Sequence, residues 1–111
     1  MAVIEAALAR TGLAKEALGV IATPATKSGE PGIAGAASAL GVPLVLITQN
    51  DLEAAAGRTA TSSERVIALT GVPSVAEAAA LAAGGAAARL VAPRVAVGPA
   101  TCALADTGAA P

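Results

Sequence analysis

Lys27 and Glu30 stand three residues apart in the stretch KSGEPG, in a chain of 111 residues of which only 14% are charged. An ammonium and a carboxylate on one short turn can do two kinds of chemistry. Lys27 can pair with a ligand carboxylate or act as an acid, and Glu30 can orient Lys27 or accept a proton. The stretch follows an apolar run, Leu18 to Thr23, and precedes an Ala-rich segment that opens at Pro31. It is therefore expected at the C-terminal end of a strand and the start of a helix, the edge where open α/β sheets place ligands. Gly32 would lie in the first helical turn, whose free amides favour anions. The simpler reading is a solvated turn with a surface ion pair, which contributes little.

Further polar groups cluster at expected helix starts. Thr59, Ser62 and Ser63 belong to the hydroxyl-rich run TATSS, and Gly71, Ser74 and Glu77 belong to GVPSVAE. Ser74 and Glu77 fit the capping box, in which Ser accepts from the amide three residues on and Glu reaches back to the cap amide. Capping accounts for these residues without a ligand, yet several helix N-termini at one sheet edge would form a rim that accepts anions. Arg94, after Pro93, is either a solvated charge or a clamp for a carboxylate. Cys102 lies in an apolar segment with no His anywhere in the chain, so a buried, inert thiol is expected.

The elements that must position these groups read as an alternation of helices and strands. Ala2 to Arg10 is predicted as an amphipathic helix, with Val3, Ile4, Ala7 and Leu8 on one face and Thr11-Gly12 as its stop. Two buried strands are predicted at Leu18 to Thr23 and Pro43 to Thr48. Between them Pro31 opens a helix that Gly41 closes. Asn50-Asp51 can cap a helix through Ala56, and Ser62 or Ser63 can cap SERVIALTG. Another helix follows Ser74 to Ala83 and stops at Gly84-Gly85. Arg89 to Val97 reads as strand, turn and strand across Ala92-Pro93, and TCALA, Thr101 to Ala105, as a last strand. Gly32, Gly35 and Gly41 do not fit a phosphate loop, and are expected to allow close helix packing and helix termination. The alternation points to a single three-layer α/β domain.

Composition removes several functions. The chain has no Phe, Tyr or Trp, so bases cannot stack on aromatic platforms. Seven basic residues against eight acidic ones give no electrostatic footprint for nucleic acid either. Without His and with one Cys, zinc sites built from His or paired Cys are excluded, and neither a metal nor a cofactor is expected. The uncharged run Pro31 to Asn50 has the length of a membrane span, but its Pro, Gly and polar residues divide it into helix, turn and strand. No basic leader precedes the first apolar stretch, so a cytoplasmic protein without membrane attachment is expected.

Taken in order, KSGEPG, the Thr/Ser-rich segment before SERV, GVPSVAEAAAL, and a late basic residue followed by ATCALA resemble the CobE/CbiG C-terminal domain family of cobalamin biosynthesis. The most specific elements are Lys27, Glu30, Pro31 and Gly32, followed at the family's distance by Gly71 through Glu77. The resemblance implies a three-layer α/β/α sandwich with a small mixed, mostly parallel sheet. It also implies a corrinoid or precorrin ligand rich in carboxylates, which suits a rim of Lys27, Arg94 and helix N-termini, and partners among other cobalamin-pathway enzymes. The leading expectation is a protein that binds or helps process such an intermediate. Two alternatives are a hydrolase that opens the cobalt-precorrin 5A lactone and releases acetaldehyde, with Lys27 and Glu30 as catalytic candidates, and an oligomeric interaction domain packed through Gly/Ala-rich helix faces. The family usually opens with a strand and a glycine-rich turn, whereas this sequence starts at MAVIEAALAR. An upstream strand is therefore expected in the native protein. The family's late Lys is Arg94 here, which keeps the charge but removes a possible proton donor.

Overall fold

The structure, a computed structural model, describes residues 2–27, 31–59, 67, 74–97 and 100–106. Helix α1 spans Ala2–Thr11 and buries Val3, Ala7 and Leu8, the face that the spacing predicts. It ends at Gly12, whose φ of 72° lies in the left-handed region that glycine adopts without a Cβ penalty. The Leu13 amide then donates to the Leu8 carbonyl at 3.2 Å, closing the helix in a Schellman-type turn. A 3-10 turn, Lys15–Ala17, precedes strand β1, Ile21–Pro24. Only the second half of the predicted strand is therefore paired.

A second 3-10 turn, Ala25–Lys27, leads from β1 toward helix α2, Pro31–Leu40, which Gly41 closes at φ 69° with the Val42 amide on the Ala37 carbonyl. The close-packing role expected of Gly32 and Gly35 is not what the structure shows. A Cβ at either position would meet no heavy atom of the described residues within 4 Å, and α2 instead buries Ala36 and Ala37.

Strand β2, Leu44–Ile47, pairs in parallel with β1, in the register Ile21↔Leu44 to Pro24↔Ile47. Side chains alternate across a strand, so Ala22, Val45 and Ile47 share one face; Ile47 belongs to the main core, and Ala22 and Val45 pack against it half-buried. The other face carries Ile21, Leu44 and Leu46, and Leu46 is 47% exposed. The expectation of two buried strands is corrected accordingly. Among the described residues β1 and β2 form a two-stranded sheet whose second face is covered at Thr23, 4% exposed, and open at its partner Leu46.

Helix α3, Gln49–Ala55, is capped by Thr48 rather than by Asn50 or Asp51. The Thr48 hydroxyl accepts from the Asp51 amide at 3.2 Å. Because β2 ends at Ile47, Thr48 is freed to serve as the cap. A 3-10 turn, Ala56–Arg58, continues α3. The predicted helix SERVIALTG lies outside the described residues except for Ile67, which is helical.

Helix α4, Val75–Gly84, starts at Ser74 and ends at Gly85, φ 92°, as the sequence predicts. Its alanines favour helix and let it approach its neighbours closely. Ala78, Ala79 and Leu81 meet Ile47, Leu52, Ala55 and Ala88 in one buried cluster that joins α4 to α3 and β2. Beyond α4, strand β3, Arg89–Leu90, pairs antiparallel with β6, Ala105–Asp106, and β4, Val95–Val97, pairs antiparallel with β5, Ala100–Cys102. The single last strand predicted over Thr101 to Ala105 is thus two strands. Helix α1 packs on β4 and β5, and α4 packs on β1, β2, β3 and β6. The architecture is the mixed α/β type, with one parallel and two antiparallel ladders among the described residues.

Candidate functional site

At the C-terminal edge of the parallel pair, both strands hand over to helices. Strand β1 passes into the 3-10 turn that ends at Lys27 and then into α2, while β2 passes through Thr48 into α3. Gly32 is the second residue of α2 and is exposed. Lys27 and Gly32 therefore belong to the strand-to-helix connection that the sequence predicts. Glu30, Ser62, Ser63 and Gly71 lie outside the described residues.

Thr59 closes the 3-10 turn after α3, and its hydroxyl donates to the Ala56 carbonyl at 3.0 Å. It belongs to the end of that turn, and its hydroxyl hydrogen is already committed. Ser74 is wholly buried, and its hydroxyl oxygen accepts from the Glu77 amide at 3.5 Å, a long capping bond.

The structure brings Ser74, Glu77 and Arg94 together in a way the sequence does not announce. Glu77, also wholly buried, accepts from the Arg94 backbone amide at 2.9 Å through Oε2. A buried carboxylate is costly unless hydrogen-bonded, and this bond supplies an acceptor to an amide 17 residues away. Arg94 itself is half-buried, and among the described residues its guanidinium makes no hydrogen bond or ion pair.

Arg58, absent from the sequence-derived candidates, is the opposite case. Its Nη1 lies 3.2, 3.3 and 3.0 Å from the carbonyl oxygens of Gly85, Ala86 and Ala88, just past the C-terminus of α4. A cation there satisfies orphan carbonyls and complements the helix dipole. Cys102 is half-buried rather than fully buried, and burial pushes its thiol above the usual range, which keeps it protonated and a poor nucleophile at neutral pH.

A groove of about 150 Å³ between α1 and α2 is lined by Ile4, Glu5, Leu8, Lys15, Ala39 and Leu40. It sits at the C-terminal end of α2, roughly 15 Å along the helix from the Lys27 connection. Ligand pockets usually span about 300–1,000 Å³, so this groove does not fit a tetrapyrrole-sized molecule.

The sequence profile of the family described as "Cobalamin synthesis G C-terminus" matches residues 1–105. The chain belongs to this family. It is 40% identical over 105 residues to the protein CobE from Sinorhizobium sp, a match covering 95% of this chain and 68% of that protein. Its structure resembles the crystal structure of CobE, a protein from the cobalamin biosynthetic pathway, with a TM-score of 0.85 and 31% identity, over 94% of this chain and 76% of the other. It also resembles the crystal structure of cobalamin biosynthesis protein chiG from Agrobacterium tumefaciens, with a TM-score of 0.74 and 44% identity, over 97% and 85%. This member of the family is thus a cobalamin-biosynthesis protein of the CobE/CbiG type. No helix among its described residues is long and apolar enough to cross a membrane.

Proposed function

We propose that this protein binds a corrin or precorrin intermediate of cobalamin biosynthesis through the peripheral carboxylates of that ligand. The observation that carries the reading is the strand edge, where β1 ends, a turn closes on Lys27, and α2 begins. A ring that carries several acids would meet the Lys27 ammonium and the amides of the first turn of α2 there. Arg94 supports the same reading, since its guanidinium has no partner among the described residues. The chain carries a formal net charge of −1, so it has no general attraction for a polyanion. Affinity must come from locally placed cations.

The reading is tested by absorbance titration in the visible bands of the ligand with two corrins: cobyrinic acid, which carries free peripheral acids, and cobinamide, in which they are amides. Saturable binding of cobyrinic acid that weakens with added salt, and much weaker binding of cobinamide, is expected. Equal affinities for the two, or no saturable binding of the acid, would contradict it.

A further inference from the structure

Resting on the reading of Arg94 as a clamp for a ligand acid, we infer that Glu77 is a positioning residue for corrin binding, acting through the Arg94 backbone without touching the ligand. Among the described residues the segment between β3 and β4 has few anchors. Pro93 has no amide hydrogen to donate, and the Val91 amide bonds the Leu104 carbonyl at 2.8 Å. At the far end the Arg94 amide is held by Glu77 Oε2. Glu77 sits in the first turn of α4 on a helix packed into the main core, so the position of Arg94 Cα is referred to the rigid part of the molecule.

Capping alone does not account for this arrangement. A capping box needs a side-chain acceptor at the helix start, and a solvated one suffices. Here the carboxylate is wholly buried and reaches a segment 17 residues on. It takes the amide of Arg94 and leaves the guanidinium without a hydrogen bond or ion pair among the described residues. The backbone is fixed while the charge stays open, which pre-organises a cation for an incoming acid.

The test uses the full chain and cobyrinic acid, with affinities measured by absorbance and corrected for the folded fraction from thermal melts in the same buffer. Glu77→Ala is expected to weaken binding by about fivefold, within the range of couplings between neighbouring residues. Glu77→Gln keeps an acceptor oxygen at the same reach and is expected to bind within about twofold of the parent. In an Arg94→Met background Glu77→Ala is expected to change affinity no further. If the alanine variant does not fold, Glu77→Asp carries the same expectation, because its carboxylate is one methylene short of the amide. Parent-like affinity in the variant that lacks the reach, or an equal loss with and without Arg94, overturns the inference. Parent-like binding by Arg94→Met alone overturns the reading of Arg94 as a clamp and the inference with it. A loss on Arg94→Met without a loss on the Glu77 variants defeats the positioning role and leaves the clamp standing.

Discussion

The two ends of α4 hold an arginine in opposite ways. At the C-terminal end Arg58 turns its guanidinium inward to the chain and shares one nitrogen among three carbonyls. At the N-terminal end Arg94 gives only its backbone amide to Glu77, and its guanidinium has no partner among the described residues. The residue type is the same, and the difference lies in which part of each arginine the fold uses. In a chain with few charges, a cation left without a partner beside a buried anchor is the better candidate for ligand recognition. One that satisfies helix-end carbonyls belongs to the scaffold.

Leu81→Ala removes a fully buried side chain from the cluster that supports both ends, so stability should fall by about 2–5 kcal/mol. Chemical denaturation checks this, and the protein that stays folded should bind cobyrinic acid as the parent does. A loss of affinity in that folded fraction would show that the core and the N-terminal end are not separable. Arg58→Met should cost about 1–2 kcal/mol through the lost carbonyl bonds, with corrin affinity unchanged. If affinity falls instead, the C-terminal end belongs to the site and the division between scaffold and site is wrong.

Ser74→Ala gives the smallest effect, about 1 kcal/mol or less, because its capping bond is long at 3.5 Å. Thermal melts of the variant measure it. A large drop in binding with no change in melting would move Ser74 from the cap to the ligand.

The helices were legible where their ends carry strong local chemistry. Gly12, Gly41 and Gly85 all adopt positive φ at helix ends, and Ser74 starts α4 where the S-x-x-E pattern places it. Thr48-x-x-Asp51 carries the same kind of signal, but Thr48 also extends the apolar run PLVLIT and reads as strand. The pairing of β3 with β6 and β4 with β5 was not legible, since segments of two or three residues carry no periodicity. Pro31 and the apolar run before it locate Lys27 and Gly32 at the strand-to-helix connection. The bonds of Arg58 were invisible because their partners are backbone carbonyls 27–30 residues away, which any residue could supply. The link from Glu77 to Arg94 was hidden for a related reason. A capping box already explained Glu77, and the group it reaches is an amide whose neighbours in sequence reveal nothing about it.

Lys27→Met tests most directly the proposed contact between Lys27 and an acid of the corrin at the strand edge. That change keeps most of the apolar stem and deletes the charge. Titrated with cobyrinic acid at low and moderate salt, the variant should bind about tenfold or more weakly than the parent, equivalent to about 1.4 kcal/mol, and show a smaller salt dependence, with its melting temperature little changed. Equal affinity and equal salt dependence in the parent and Lys27→Met would contradict the assignment of this edge as the site.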